Sequence, residues 1–221
     1  TYTHDGDHLV ATAECMAVNA KDTTRKAGPF ECHNTVWTNA AGKITKQVFR
    51  YAAAMDEIFS TAKEATASRA ITAFFDGSTL QPAVYNSLYY NNMCYKWTEE
   101  MPAVPGADSW KLTDDVCGLA GLTKDVTEGF FGKVGYNNIN AWAFTENADG
   151  SVVGVVQQTA FAHADPTKVS KVFSGKVTWT FGANGKIDTV LIYSQSTIQS
   201  LFMSANEVTV MTIVIDFFAG K

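Results

Sequence analysis

The chain repeats itself out of phase, and this limits its folds more than any other feature. Shifted by 143 positions, residues 8–78 lie on residues 151–221 without a gap. Phe30 falls on Phe173, Thr35 on Thr178, and Gly42-Lys43-Ile44 on Gly185-Lys186-Ile187. Glu64 meets Glu207, Thr66 meets Thr209, and Phe74-Phe75 meets Phe217-Phe218. The 71 aligned positions hold 17 identities, against roughly 5 expected from composition. A period this long suits a whole small domain and is too long for a solenoid. Residues 79–143 have no second copy. The expected division is therefore a partial repeat over 1–57, a complete unit over 58–200, and over 201–221 the opening segment of a further repeat.

Bulk composition supports a packed core, with 46% hydrophobic and 12% aromatic residues. A net charge of −5 with no run of Lys or Arg longer than Arg25-Lys26 argues against a nucleic-acid partner. No stretch approaches the roughly 18 apolar residues of a membrane span. The most apolar window, Val208–Phe218, is shorter and contains Asp216.

The cysteines are Cys15, Cys32, Cys94 and Cys117. Cys15 and Cys32 sit on two predicted strands joined by the turn around Asp22–Pro29, so they could face each other across a hairpin near disulfide distance. Their repeat counterparts are Gln158 and Gly175, so both thiols are absent together, as a cross-link requires. Cys94–Cys117 is the remaining pair. Two bridges imply an oxidising compartment, secreted or an organelle lumen; four buried thiols is the competing reading. The cysteine spacing fits no zinc pattern. His4, Asp5, Asp7 and His8 could gather a divalent cation, but a turn-forming or mobile terminus is the simpler reading, and no metal is expected. There is no Gly-rich phosphate loop, Gly-x-Ser-x-Gly elbow or His-Glu-x-x-His, so the cofactor stays unknown.

Periodicity predicts strands over His8–Val18, Phe30–Thr38 and Ile44–Tyr51, then a helix within Met55–Phe75, where Ile58, Ala62, Ala65, Ala70 and Phe74 recur at helical spacing. A short helix or two over Leu80–Asn91 precedes a strand at Met93–Glu99. A helix over Leu122–Val134 follows, then four antiparallel strands at Ile139–Thr145, Val152–His163, Lys171–Phe181 and Ile187–Ser196. Val208–Phe218 is rich in β-branched residues, yet its copy reads as helix. The order gives an α+β class, a curved antiparallel sheet wrapped round helices as a cone.

The opening helix ending Ala70-Ile71-Thr72-Ala73-Phe74-Phe75-Asp76-Gly77, the strand Tyr95-Lys96-Trp97, and the pair Val177-Thr178-Trp179-Thr180-Phe181 with Ile187–Tyr193 resemble the nuclear transport factor 2-like superfamily, more narrowly its SnoaL-like group. The resemblance covers about 140 residues and is one of pattern. It implies a cone whose concave face holds a small ligand. Its members range from isomerases and dehydratases to carriers and catalytically silent modules, so fold alone does not give function. Trp179-Thr180-Phe181-Gly182 and the end of the last strand also look like the iota-class carbonic anhydrases. Those carry His-His-Ser-Ser where this chain has Tyr193-Ser194-Gln195-Ser196, and the loss of both imidazoles argues against that activity.

Isomerases of the group need an Asp or His base facing a Tyr or His donor. The residues of this chain that could line the cone are Tyr95, Trp97, Trp142, His163, Tyr193, Ser194 and Ser196. His163 reads as a rim residue beside Ala164-Asp165-Pro166, and Trp97 and Trp142 read as strand aromatics that pack the core or wall an apolar pocket. No acidic residue sits mid-strand in 137–196 apart from Asp188 at a strand start. The expected function is a secreted or lumenal binding or assembly module with an apolar cone pocket. An isomerase, cyclase or lyase on a small apolar substrate is the alternative. The expected partners are an apolar small molecule and, through residues 205–221, a further copy of the chain.

Overall fold

A computed structural model describes residues 1–6, 8–19, 22–51, 55–98, 115–193 and 201. It divides into two compact units, Thr1–Ala65 and Thr66–Lys221.

The first unit is a four-stranded antiparallel sheet in the order β1 (Tyr2–Asp5), β2 (His8–Val18), β3 (Lys26–Thr38), β4 (Ile44–Tyr51). The His-Asp stretch at the start is a hairpin: Asp5 lies opposite His8 across Gly6, which turns the chain at φ 61°. The His8 ring sits 5.0 Å from that of Trp37. Among the described residues no three His, Cys, Asp or Glu side chains gather to hold a metal ion.

Helix α1 (Ala62–Phe75) starts at a capping arrangement. The Thr61 hydroxyl accepts from the Glu64 N–H at 3.1 Å, and the Glu64 carboxylate accepts from the Ser60 N–H at 2.8 Å. The first bond satisfies one of the helix's otherwise unpaired donors, and the second ties the residue before the cap back to the first turn.

The second unit is α+β. After α2 (Pro82–Leu88) come β5 (Tyr89–Thr98), β6 (Val116–Cys117), α3 (Gly118–Glu128) and α4 (Phe130–Lys133). The strands β7 (Val134–Asn138), β8 (Ala143–Glu146), β9 (Val152–Ala162), β10 (Asp165–Val169), β11 (Phe173–Phe181) and β12 (Ile187–Tyr193) follow. One edge of β9 carries β8 and β7 end to end, and the other carries β10 and β11. Beyond β11 the sheet continues through β12 and β5 to β6. It is a curled mixed sheet forming a cone-like half-barrel. The sheet is mixed and not purely antiparallel, because β12 runs parallel to β5, which enters from the helical segment before it. Among the described residues no helix is long and apolar enough to cross a membrane.

Three local readings change. The expected helix over 122–134 is two helices, because Asp125 turns back on the chain. Its carboxylate accepts from the N–H groups of Phe130 and Phe131 at 3.1 and 3.0 Å. A Cβ on Gly129 would collide with that carboxylate. The expected strand at 139–145 is broken between β7 and β8, where Asn140 accepts from the Gln157 N–H at 2.8 Å. Trp142 therefore precedes a strand and is not on one. β5 begins at Tyr89 and not at Met93, so the expected helical stretch 80–91 ends at Leu88, with Tyr85 and Tyr89 buried across that junction and their rings 5.0 Å apart. Residues 205–221 lie outside the described residues.

The strands of the two units share register. In β2/β3, Cys15 faces Phe30; 143 positions on, in β9/β11, Gln158 faces Phe173. In β3/β4, His33 faces Arg50, and in β11/β12, Lys176 faces Tyr193. Both second pairs slip at corresponding places, between Trp37 and Thr38 and between Thr180 and Phe181. The turns match as well. Asn39 accepts from Gly42 and donates to Lys43, as Gly182 accepts from Gly185 and donates to Lys186. Asp22 and Asp165 each hold the hydroxyl of a Thr two residues on at 2.6 Å. These hydrogen bonds hold both carboxyls below their usual range.

Both disulfides are formed, Cys15–Cys32 in the first unit and Cys94–Cys117 in the second, with no free cysteine. Cys94 and Cys117 are directly opposed on β5 and β6. Cys15 and Cys32 are diagonal neighbours, since Cys15 faces Phe30 and Cys32 faces Ala13. Two bridges are compatible with a secreted or lumenal protein. A non-reducing peptide map should recover the 15–32 and 94–117 pairs alone; any 15–94 or 32–117 peptide would contradict this arrangement.

Candidate functional site

The second unit forms a half-open cavity between α1 and the concave face of its sheet, with a water-accessible volume of about 60 Å3. Its open side lets a molecule larger than that volume extend towards solvent. Helix α1 buries Ala67, Ala70 and Ala73 and contributes Ala70, Ile71, Phe74 and Phe75 to the wall. Strand β5 contributes Tyr89, Tyr95 and Trp97, alternate residues of which face inward. Val177 and Trp179 of β11 and Val190 and Ile192 of β12 complete the apolar floor.

One end is held by Phe131 of α4. Its ring lies 4.6 Å from Phe74, 4.8 Å from Trp97 and 5.8 Å from Tyr95. At the other end Trp142 meets Trp179 edge-on at 6.4 Å. Both indoles fit because position 154 is glycine: a Cβ there would stand 2.7 Å from Trp179 and 3.1 Å from Trp142.

Polar groups in the wall are few. The Tyr95 hydroxyl donates to that of Tyr89 at 3.1 Å. Burial pushes both phenols above their ordinary range, Tyr95 the further, and Tyr136 rises for the same reason. Nearby Tyr85 is pushed up to about 12 by burial, reinforced by Tyr89. Gln158 is 93% buried, being 7% exposed, and its amide lies over Gly175 so closely that a Cβ there would collide with it. Among the described residues, the buried indole N–H groups of Trp97 and Trp142 meet no acceptor. Lys176 and Tyr193, both half-buried, meet with the ammonium 4.3 Å above the ring. Among the described lining residues none is Asp, Glu or His.

Of the residues expected at the site, Tyr95, Trp97, Trp142 and Tyr193 come together in this wall. His163 is elsewhere: it is exposed, its Nδ1 is 3.0 Å from the Gly132 carbonyl oxygen, and its ring lies 5.5 Å from Phe161. Ser194 and Ser196 lie outside the described residues. Gln158 and Gly175 were not singled out as lining residues. A signal existed, since Gln158 interrupts the inward series Val152, Val156, Ala160 on an otherwise apolar face, at the position where the repeat has cysteine.

No known protein family matches the sequence, and no curated protein matches it. Solved structures do. The protein TerC, co-crystallised with polyporic acid, is 16% identical with a TM-score of 0.48, over 65% of this chain and 100% of its own. A nuclear transport factor 2-like protein of unknown function from Burkholderia pseudomallei is 12% identical with a TM-score of 0.46, over 66% of this chain and 98% of its own. A SnoaL-like protein from Mesorhizobium loti, described as a polyketide cyclase, is 11% identical with a TM-score of 0.37, over 58% and 96%.

The phenols make a pH prediction. Their folded pKa values lie above the unfolded value of about 10, so the neutral form is favoured in the fold. Their contribution to stability is complete below about pH 10 and is lost as pH rises towards the folded values. In an alkaline titration at 295 nm, Tyr85, Tyr89, Tyr95 and Tyr136 should ionise together with loss of near-ultraviolet dichroism. Free titration of all tyrosines near pH 10 in the folded protein would contradict it.

Proposed function

We propose that the protein is a secreted or lumenal binding module whose cone cavity takes one small apolar molecule. The observation that carries this reading is an aromatic-walled cavity roofed by Ala70, Ile71, Phe74 and Phe75 of α1, with only a few polar groups in its wall. The alternative, an isomerase, cyclase or lyase, needs a base opposite a donor. The phenols could donate, but they stay neutral, and the described wall supplies no carboxylate or imidazole. Binding is therefore the better-supported reading.

Indane, an aromatic hydrocarbon, should bind saturably at one site per chain and change tryptophan fluorescence. Ala70→Phe, which fills the cavity, should weaken indane at least about tenfold, at an overpacking cost of about 1–3 kcal/mol in stability. Wild-type protein that takes no indane, or a folded Ala70→Phe variant that binds it equally well, would contradict the reading.

The shared register supports a second proposal. Residues 1–57 act as the strand half of a unit like that of 58–200, and 201–221 as the opening of another. In such a unit α1 covers the sheet, and 205–218 repeat the α1 sequence at Ala205, Glu207, Thr209, Phe217 and Phe218. Their apolar residues, Val208, Val210, Ile213 and Val214 among them, favour burial in another copy of the chain at about 25 cal/mol per Å2. Light scattering should find multimers of the full chain and monomers after deletion of 205–221. A full chain that stays monomeric at high concentration would refute this.

A further inference from the structure

The two disulfides differ in what a thiol can do to them. In thiol–disulfide exchange a thiolate attacks one sulfur and the other leaves as a thiolate, so the rate depends on access to the first and on how well the second bears charge. At Cys15–Cys32 both conditions are poor. Cys32 is 2% exposed, which bars attack there, and attack on half-buried Cys15 would expel a thiolate at Cys32, where burial disfavours the charge. At Cys94–Cys117 both are better. Cys117 is exposed and lines an open groove with Gly121, Lys124 and Glu128, while Cys94 is only half-buried and can leave beside solvent.

The place of Cys117 in the fold adds an independent reason. It ends β6, a two-residue strand at the edge of the sheet, paired with β5 only at Cys94 opposite Cys117 and Tyr95 opposite Val116. It is also the N-cap residue of the 11-residue helix α3, which has no capping side-chain hydrogen bond at that residue and no acid in its first turn. The start of a helix favours negative charge, so a thiolate on Cys117 is stabilised once the bridge opens. A sulfur that is exposed and bears charge well is the kind that exchanges readily.

We propose that Cys117 is a thiol-exchange site, at which a low-molecular-weight thiol opens the Cys94–Cys117 bridge while Cys15–Cys32 stays closed. In the first step a thiolate attacks Sγ of Cys117. A new S–S bond forms there, the bond to Cys94 breaks, and Cys94 leaves as a thiolate that takes a proton from water. In the second step another thiolate attacks the sulfur of the bound thiol. A small disulfide departs, and Cys117 is released as a thiolate at the start of α3. Two thiols are oxidised to one disulfide, and the protein bridge is reduced to two thiols. The exchange does not depend on ligand binding in the cavity. The test holds the full chain in 2-mercaptoethanol, which brings no charge beyond its thiolate into a groove where Asp115, Asp125 and Glu128 outnumber Lys124. Samples quenched in acid, alkylated with N-ethylmaleimide and peptide-mapped should show Cys94–Cys117 opening at least about tenfold faster than Cys15–Cys32, with tryptophan fluorescence still native. With 2-hydroxyethyl disulfide, Cys117 in the Cys94→Ala variant should form its mixed disulfide faster than Cys94 does in Cys117→Ala. If either variant fails to fold, the wild-type rates decide. Equal rates at the two bridges, opening of Cys94–Cys117 only as fast as the protein unfolds, or faster adduct formation at Cys94 would overturn the proposal.

Discussion

β9 is paired along both edges, so its side chains have only two destinations, outward to solvent or inward beneath α1. The inward set is Val152, Gly154, Val156, Gln158, Ala160 and Ala162, all buried. Most of these are small, and that constraint shapes the second unit. A strand of large residues would fill the cone. Small ones leave room that Trp179 and Trp142 enter across Gly154, and that Gln158 enters over Gly175. The remaining space is the cavity. Its size follows from side-chain volume on that strand.

The same strands in the first unit show how little need change to alter the outcome. Register, slip positions and turns correspond at a spacing of 143 residues. At the pair where the second unit has Gln158 and Gly175, the first has a disulfide. A bridge fixes two strands and fills the face between them. A carboxamide over a glycine leaves a polar group in the wall of the cavity. One sheet is cross-linked at that point and the other is not, with the strand register the same in both.

Much of this was legible in the sequence, for identifiable reasons. Strands β2, β3, β4, β9, β11 and β12 announce themselves through β-branched alternation and Asn/Gly turns, and the repeat checks each against a second copy. The cysteine pairing was legible because both thiols disappear together in that copy. The parallel pairing of β12 with β5 was not, since nothing in either strand's pattern encodes its neighbour's direction. The break after α3 was hidden because one buried side chain, Asp125, causes it through hydrogen bonds to Phe130 and Phe131. At the site, the aromatic residues Tyr95, Trp97, Trp142 and Tyr193 stood out by type. Gln158 and Gly175 did not, because their importance lies in a diagonal contact that only register reveals. His163 stood out by type and sits on the surface, where a loop histidine is most often found.

The account rests on an aromatic-walled cavity beneath α1, proposed to take one small apolar molecule. The most direct measurement is the set of tryptophan indole N–H resonances by 15N-resolved NMR, assigned by substitution, before and after saturation with indane. The account predicts that the signals of Trp97, Trp142 and Trp179, all residues of the cavity wall, move on binding with one shared affinity. Unmoved signals at all three positions at saturating indane would contradict it.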